Sequence, residues 1–184
     1  EERCVNLSIE IRFQDYRDLN EKFDKICSIG MLEHVGHKNY QEYFSIVQKA
    51  LKKEGIALIH FIGGSETCYH IDPWMDKYIF PQALIPSIRQ IGTAMENKLV
   101  LQDWHNFGAY YDTTLMAWLE NFNESWSVLK NKYSDIFYKM WEFYLCSSAA
   151  SFRSNRLSLW QLVITNKEYK GLYKSVRPMS FKKK

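Results

Sequence analysis

One glutamate and two histidines occupy positions where apolar segments of the sequence end. Glu33 and His34 follow the apolar stretch 23–30, FDKICSIG, and His60 lies near the end of a second apolar stretch, 56–62. A carboxylate accepts hydrogen bonds, and an imidazole both donates and accepts them. Side chains of these types at the ends of buried segments predict a site for a polar ligand.

The elements around these residues alternate between strand and helix. The stretches 23–30 and 56–62 are short apolar runs typical of strands covered on both faces. Between them, residues 39–52 place apolar side chains on one helical face, with Asn39 as the predicted N-cap and Gly55 after the helix end. The apolar side chains of this face are Tyr40, Tyr43, Phe44, Val47 and Leu51.

This strand–helix–strand order predicts a βαβ unit with two parallel strands in a layered α/β domain. In such sheets, ligands bind beyond the carboxyl ends of the strands. Residues 30–33 and 60–64 both lie there, which predicts that Glu33 and His34 stand at the ligand edge. The glycine pair in the second segment is expected to allow a tight backbone turn beside the ligand.

The rest of the chain supplies further elements. Alternation over 4–13 predicts a strand, and 14–20 a polar turn. Residues 69–92 are rich in aromatic residues and proline without a sustained period, which predicts an ordered insertion rather than a solvated linker. The remaining predicted elements are a strand at 98–107, a helix at 112–132 capped by Asp112 or Thr113, a helix at 133–153 and a strand at 157–165.

Composition limits the class of protein. The chain has 184 residues, 46% of them apolar, which is enough for one well-buried domain, and no stretch has the apolar length of a membrane span. Four cysteines without a CxxC pair indicate neither zinc nor disulfides and fit a reducing cytosol; Cys27 is predicted to be a buried thiol. Without an initiator Met or a signal peptide, the chain is expected to begin partway through a longer protein.

The net charge of +3 is unevenly distributed. From Lys167 to Lys184 the chain carries seven Lys or Arg and one acid, whereas the rest is mildly acidic. We expect a basic C-terminal tail at 167–184 that is either solvated or in contact with an anionic membrane surface. No basic stripe runs through the remainder, so nucleic-acid binding is not indicated.

Five sequence blocks, long and unusual in composition, occur in a fixed order: SIGMLEHVG at 28–36, DPWMDKYIFP at 72–81, LIPSIRQI at 84–91, DWHNFGAYYDTTLMAW at 103–118 and LWQLV at 159–163. Together they resemble the cyclopropane-fatty-acyl-phospholipid synthases, which are related to the mycolic acid cyclopropane synthases. The resemblance implies an α/β fold, the class I S-adenosylmethionine-dependent methyltransferase fold. This is a Rossmann-like, seven-stranded sheet with helices on both faces and an antiparallel last strand.

The resemblance also implies that the domain, residues 1–166, is truncated at its N-terminal side. The family's first strand and glycine-rich loop would precede residue 1, and no GxGxG occurs in this sequence. The family's N-terminal domain and one site cysteine would likewise lie upstream. We therefore expect this chain alone to be inactive.

The activity implied by the resemblance is transfer of a methylene from S-adenosylmethionine to the cis double bond of a phospholipid acyl chain. A cation must be kept from water while a base, here a bound bicarbonate, removes a proton. Carried over residue by residue, the bicarbonate site would consist of Glu33, His60, the backbone of Ile62, and Tyr111, with the three side chains in the catalytic role. The insertion at about 65–97 and the helices at 112–153 would form the acyl channel.

The resemblance assigns the cofactor pocket as well. The turn at 15–17 would meet the adenine ring, and two residues near the first strand's end would line the same pocket. The five cofactor residues are Asp15, Tyr16, Arg17, Ile29 and His34. Cys146 and Ser148, in a segment where the family often has a cysteine, are interpreted as lining or packing residues rather than catalytic ones.

Two alternatives remain open. A related lipid methyltransferase would share the scaffold and give a methyl-branched or hydroxylated product. A non-catalytic lipid-binding remnant would keep the fold without turnover. The expected partners are phospholipid acyl chains at the inner membrane surface and a second copy of the chain, and the expected location is cytoplasmic; neither a metal nor a nucleic acid is expected.

Overall fold

A computed structural model describes residues 7–175, which form a four-stranded sheet between two helical layers. The strands are β1 (Phe23–Ile29), β2 (Leu51–Gly64), β3 (Leu99–Asn106) and β4 (Leu157–Asn166), in the order β1-β2-β4-β3. β1 and β2 are parallel, and β4 is antiparallel to both of its neighbours. The parallel pair and the antiparallel last strand confirm the predicted fold class.

Six helices connect and cover the strands. They are α1 (Leu32–Val35), α2 (Tyr40–Ala50), α3 (Pro73–Tyr78), α4 (Ile88–Met95), α5 (Gly108–Leu129) and α6 (Asp135–Arg153). Single 3₁₀ turns lie at Tyr16–Asp18 and His37–Asn39. In the part of the chain that the structure describes, no helix is long and apolar enough to cross a bilayer.

Two hydrophobic cores follow from the alternation of side chains along the strands. Ile59 and Phe61 of β2 point to one face, where they pack with residues of α2 and α4. Ile62 points to the other face, where it packs against a cluster formed by α5, α6 and Leu159 of β4. The sheet is therefore covered on both faces, as predicted.

The predicted strand at 4–13 is wrong for the residues that the structure describes. Residues 7–15 have no regular structure, and the apolar side chains Leu7, Ile9, Ile11 and Phe13 are exposed; residues 4–6 lie outside the described part. An alternating pattern forms a strand only where a neighbouring strand pairs with its backbone. None of the four described strands pairs with this segment.

β1 is also less covered than predicted. It forms the edge of the described sheet, and Ile29 and Cys27 are exposed, so the prediction of a buried thiol is wrong. Ile26 packs against the core under α2. A run of apolar residues at a sheet edge does not reveal by itself which face is covered.

Several helix boundaries differ from prediction. α2 ends at Ala50, and Leu51 and Gly55 already belong to β2. Asn39 makes no cap hydrogen bond; its side-chain amide nitrogen donates to the Val35 carbonyl at 2.8 Å. α5 begins at Gly108, four residues earlier than expected.

The insertion contains two helices that the sequence pattern did not predict. Asp72 caps α3, with a proline in its first turn. Ser87 and Gln90 form a reciprocal capping box at the start of α4. Both signals are present in the sequence, but neither helix is long enough to show a clear hydrophobic period.

The glycine pair does not form a tight turn. Gly63 and Gly64 end β2, and neither is among the glycines of positive φ, which in the described residues are Gly30 and Gly36. A Cβ atom on Gly63 would overlap the buried indole ring of Trp160. Glycine is therefore required at position 63 for close packing rather than for chain reversal.

Candidate active site

Glu33 lies in α1, just beyond the end of β1. The Gly30 N–H donates to the His60 carbonyl at 2.9 Å, and the positive φ of Gly30, 63°, turns the chain into α1. The Ile62 N–H of β2 then donates to Glu33 Oε1 at 2.7 Å. Beyond the end of β1, the Glu33 side chain thus accepts the backbone hydrogen bond that a neighbouring strand would otherwise accept from β2. This fixes the carboxylate at the carboxyl edge of the parallel strands, where the sequence predicted it.

The Glu33 carboxylate is buried and only half satisfied. The residue is 8% exposed, and its Oε2 atom has no hydrogen-bond partner within the described structure. Burial raises the pKa of Glu33, and the hydrogen bond from Ile62 opposes that rise. Buried polar atoms in proteins nearly always have a partner. Oε2 is therefore an acceptor positioned for a donor that the described residues do not provide.

His60 lies on β2, two residues before Ile62 and opposite Ile29 of β1 in the strand register. Along the strand it shares a face with Ile62, the face covered by α5 and α6. Its Nδ1 atom is 3.1 Å from Nε2 of Gln161 on β4. Burial lowers the pKa of His60, so the ring is neutral near pH 7.

Tyr111 lies in the first turn of α5 rather than in the loop before it. Its ring packs edge-on against Phe152 at 5.0 Å and Trp118 at 5.9 Å, and it contacts the same cluster as Ile62. Burial raises the pKa of Tyr111, and the negative charge of Glu33 raises it further. The phenol therefore lies within electrostatic range of the carboxylate.

The four residues predicted to hold bicarbonate thus lie at one end of the sheet. Only Glu33 and Ile62 are joined by a hydrogen bond. Among the described residues, no hydrogen bond links the side chains of Glu33, His60 and Tyr111 to one another. An arrangement of this kind leaves their polar atoms able to bind a small ligand between them.

Buried hydroxyl groups near Glu33 were not predicted to belong to the site. The Tyr40 hydroxyl on α2 is buried without a hydrogen-bond partner in the described structure, and the buried hydroxyls of Tyr43 on α2 and Ser28 on β1 face each other. Burial raises the pKa of Tyr43 to about 12, and burial and the charge of Glu33 raise that of Tyr40. The sequence feature that could have indicated these hydroxyls is the presence of tyrosine, rather than phenylalanine, at two positions on the otherwise apolar face of α2.

The turn at 15–17 is held together by its own side chains. Asp15 caps the turn by accepting the Arg17 N–H at 2.9 Å, and its carboxylate pairs with the Arg17 guanidinium at 2.7 Å. The ring of Tyr16 packs edge-on against Tyr43 at 5.8 Å, which places this turn beside α2. Of the three residues, Tyr16 alone is packed against the domain.

The other two predicted cofactor residues, Ile29 and His34, lie in different surroundings. Ile29 is exposed at the end of β1. His34 is exposed as well, and its ring lies 6.1 Å from Phe80 of the insertion. The structure therefore places Ile29 at the strand end beside the open side of Gly30, whereas His34 contacts the insertion.

Aromatic side chains join the insertion to α6. Trp74 of α3 packs edge-on against Phe143 at 4.7 Å, and Phe80 packs against Tyr144 at 5.8 Å. Cys146 on α6 is exposed, and Ser148 is buried. These ring contacts form an aromatic surface shared by the insertion and α6, and Phe80 joins it to His34 of α1.

The base of α5 is tied to the end of α6. Both guanidinium contacts from Arg153 to the Asp112 carboxylate measure 2.9 Å. The side chain that was predicted to cap α5 therefore bridges two helices instead, and the α5 N-terminus is closed by Asn106, whose Oδ1 accepts the Gly108 N–H at 2.9 Å. This bridge lies one residue from Tyr111.

The order of the strands and the antiparallel β4 are those of the S-adenosylmethionine-dependent methyltransferase fold. Comparison with known proteins supports this assignment. The structure of mycolic acid cyclopropane synthase CmaA1 complexed with SAH and CTAB matches 81% of this chain and 57% of that chain with a TM-score of 0.73 at 24% identity. That likeness shows the shared fold.

Sequence comparison is more specific. The family model described as mycolic acid cyclopropane synthetase matches residues 1–162. The cyclopropane-fatty-acyl-phospholipid synthase of Escherichia coli K12 is 50% identical over 172 residues, which are 94% of this chain and 45% of that protein. The tuberculostearic acid methyltransferase UfaA1 of Mycobacterium tuberculosis is 32% identical over 160 residues, covering 83% of this chain and 38% of that protein.

The chain belongs to the mycolic acid cyclopropane synthetase family. It spans less than half the length of the two curated relatives.

Proposed function

We propose that the protein containing this chain transfers a methylene from S-adenosylmethionine to the cis double bond of unsaturated phospholipid acyl chains, forming a cyclopropane ring. The observation that carries this proposal is the half-satisfied carboxylate of Glu33, which is held by Ile62 and lies within electrostatic range of Tyr111. The family and the 50% identity to a synthase of this name supply the reaction class.

Bicarbonate is the proposed proton acceptor in this site. Its hydroxyl would donate to Glu33 Oε2, and the His60 ring and the Tyr111 hydroxyl would donate to its charged oxygens. The Ile62 N–H already donates to Glu33, so its role is to hold the carboxylate in place. Burial, which raises the pKa of Glu33, disfavours two anions side by side unless such donors are present.

The residues near β1 fit a nucleoside-bearing cofactor in part. Ile29 is exposed at the strand end, and a side chain at Gly30 would meet no atom within 4 Å, so the space beside the strand end is open. Ligands of such sheets bind at this edge. When bound, S-adenosylmethionine supplies the electrophilic methyl carbon. Tyr16 and Ile29 would contact it, with Asp15 and Arg17 holding the turn and His34 at the border of the pocket.

The aromatic surface formed by the insertion and α6 is the proposed wall of the acyl channel. Trp74, Phe80, Phe143 and Tyr144 carry apolar ring surface next to the helix that bears Glu33. Such rings exclude water and interact favourably with a passing positive charge. An acyl substrate implies contact with a phospholipid surface, which we place at the cytoplasmic face of the inner membrane, and the basic tail at 167–184 is a proposed contact.

The decisive experiment uses the full-length protein, methyl-labelled S-adenosylmethionine and vesicles of unsaturated phospholipid. Label in a ring methylene supports the proposal. Label in a methyl branch would instead indicate an activity of the kind named for UfaA1. Absence of label in the lipid, with retained vesicle binding, would indicate a non-catalytic lipid-binding protein.

The role of bicarbonate has its own test. Turnover measured in buffer purged of carbon dioxide should fall and should recover when bicarbonate is added back. Turnover that is insensitive to bicarbonate would contradict the assigned proton acceptor while leaving the product assignment intact.

A further inference from the structure

Three polar residues form a row across three adjacent strands. Gln161 of β4 lies directly opposite His60 of β2 and, on its other side, directly opposite His105 of β3. Residues directly opposite each other in antiparallel strands point to the same face. This is the face of Leu159 and Ile62, which α5 and α6 cover.

The position of Gln161 is unusual for its strand. β4 has the sequence LSLWQLVITN, and Gln161 stands between apolar neighbours on a largely covered strand. A partly buried amide requires hydrogen-bond partners. The contact of its Nε2 atom with His60 Nδ1, at 3.1 Å, supplies one.

The chemistry of the two groups fixes the direction of this hydrogen bond. In this structure the amide nitrogen of Gln161 faces the ring, and because it can only donate, Nδ1 of His60 is the acceptor and carries no proton. Burial lowers the pKa of His60, so the ring is neutral near pH 7 and has a single ring proton. That proton then resides on Nε2, the nitrogen that does not contact Gln161.

We propose that Gln161 is a positioning residue that fixes the tautomer of His60, so that Nε2–H serves as a hydrogen-bond donor in the active site. This inference rests on the proposed function, in which His60 donates to a bound anion. If the amide were turned over, Oε1 would require the proton on Nδ1, and the lone pair of Nε2 would then repel the anion. Only the first arrangement makes His60 useful to an anionic proton acceptor.

The test reads the tautomer directly. In the full-length protein labelled with ¹⁵N-histidine, long-range ¹H–¹⁵N correlation distinguishes Nε2–H from Nδ1–H, and loss of a signal in His60→Gln assigns the ring. The wild type should show Nε2–H. In Gln161→Glu the carboxylate accepts from Nδ1–H, so the tautomer should reverse and kcat should fall roughly 10- to 100-fold, as for other orienting partners of functional histidines.

Two further variants separate positioning from packing. Gln161→Met keeps the side-chain volume without a donor, and its His60 should show both tautomers with an intermediate kcat. Gln102→Met is the matched control, because Gln102 lies on β3 and donates to Thr165 at 3.0 Å on the neighbouring strand. It removes a similar cross-strand hydrogen bond and should leave the His60 signals unchanged.

Nδ1–H in the wild type, or an unchanged tautomer in Gln161→Glu, would overturn the inference. The proposed function fails by a different measurement. If bicarbonate has no effect on turnover while Gln161→Glu still reverses the tautomer, Gln161 positions His60, and the anion assigned to the site is wrong.

Discussion

The backbone N–H of Ile62 and the side chain of Glu33 are joined by a 2.7 Å hydrogen bond across the end of the parallel strands. The bond holds one carboxylate oxygen and leaves the other buried without a partner in the described structure. A group arranged in this way costs folding stability when it is ionised, and it offers an acceptor to a ligand. Stability and activity should therefore respond in opposite directions to its removal.

Replacing Glu33 by Gln tests that opposition. Because the pKa of Glu33 is raised in the folded protein, the folded state binds a proton more readily than the unfolded chain, and the charged form is unfavourable above the unfolded pKa of about 4.3. Glu33→Gln should therefore unfold at an equal or higher denaturant concentration at pH 7. Turnover should fall by at least about 100-fold.

The matched control for Glu33→Gln is Glu42→Gln, since Glu42 is exposed on α2. It should change neither the unfolding midpoint nor turnover appreciably. A Glu33→Gln protein that is less stable and fully active would show that the carboxylate serves the fold alone.

Tyr111→Phe removes the proposed hydroxyl donor and keeps the ring that packs against Phe152. We expect a stability close to that of the wild type and a loss of kcat of roughly 100-fold, as for a donor to a developing or bound anion. Tyr110→Phe is the control, because the neighbouring Tyr110 is exposed. Equal activity of both variants would remove the Tyr111 hydroxyl from the site.

His60 should make the protein sensitive to acid. Burial lowers its pKa in the folded state, so the unfolded chain binds the proton more tightly, and the free energy of unfolding falls as the pH drops below about 6.5. Thermal unfolding of His60→Gln should therefore change less between about pH 7 and about pH 5 than that of the wild type. His70→Gln, at an exposed position, should keep the wild-type dependence; an identical dependence in His60→Gln would contradict the burial of this ring.

The close packing of Gly63 against Trp160 predicts that alanine substitutions at Gly63 and Gly64 have very different effects on stability. A methyl group at position 63 would overlap Trp160, which is confined by Phe61 and Trp104. Gly63→Ala should lower the free energy of unfolding by about 2 kcal/mol or more. At Gly64 the added carbon would lie 3.6 Å from Ile85, an ordinary contact, so Gly64→Ala should change stability little. Urea titrations of both variants measure the difference.

The strand pattern and the family blocks predict most of the fold. The strands predicted at 23–30 and 157–165 both form, and each ends within one residue of its predicted end. The segment at 4–13 has an equally good pattern and forms no strand over its described residues. Pairing depends on a partner, which a local pattern does not encode.

The site residues were predicted from the family resemblance, and their roles stay predictions. The family resemblance assigns Glu33, His60 and Tyr111 to the bicarbonate site, and two of them, Glu33 and Tyr111, lie within the sequence blocks. The hydrogen bond from Gln161 to His60 was not predictable, because it depends on the register between β2 and β4, which are about one hundred residues apart in the chain. Register is set by the packing of whole strands rather than by any short motif.

The indole rings of Trp104 and Trp160 lie 5.1 Å apart and nearly perpendicular, one on β3 and the other on β4. Two such chromophores in a fixed, asymmetric arrangement couple electronically, and the folded chain should give a paired band in ultraviolet circular dichroism. That band would disappear when β3 separates from β4. Circular dichroism could therefore follow the pairing of these two strands without any attached label.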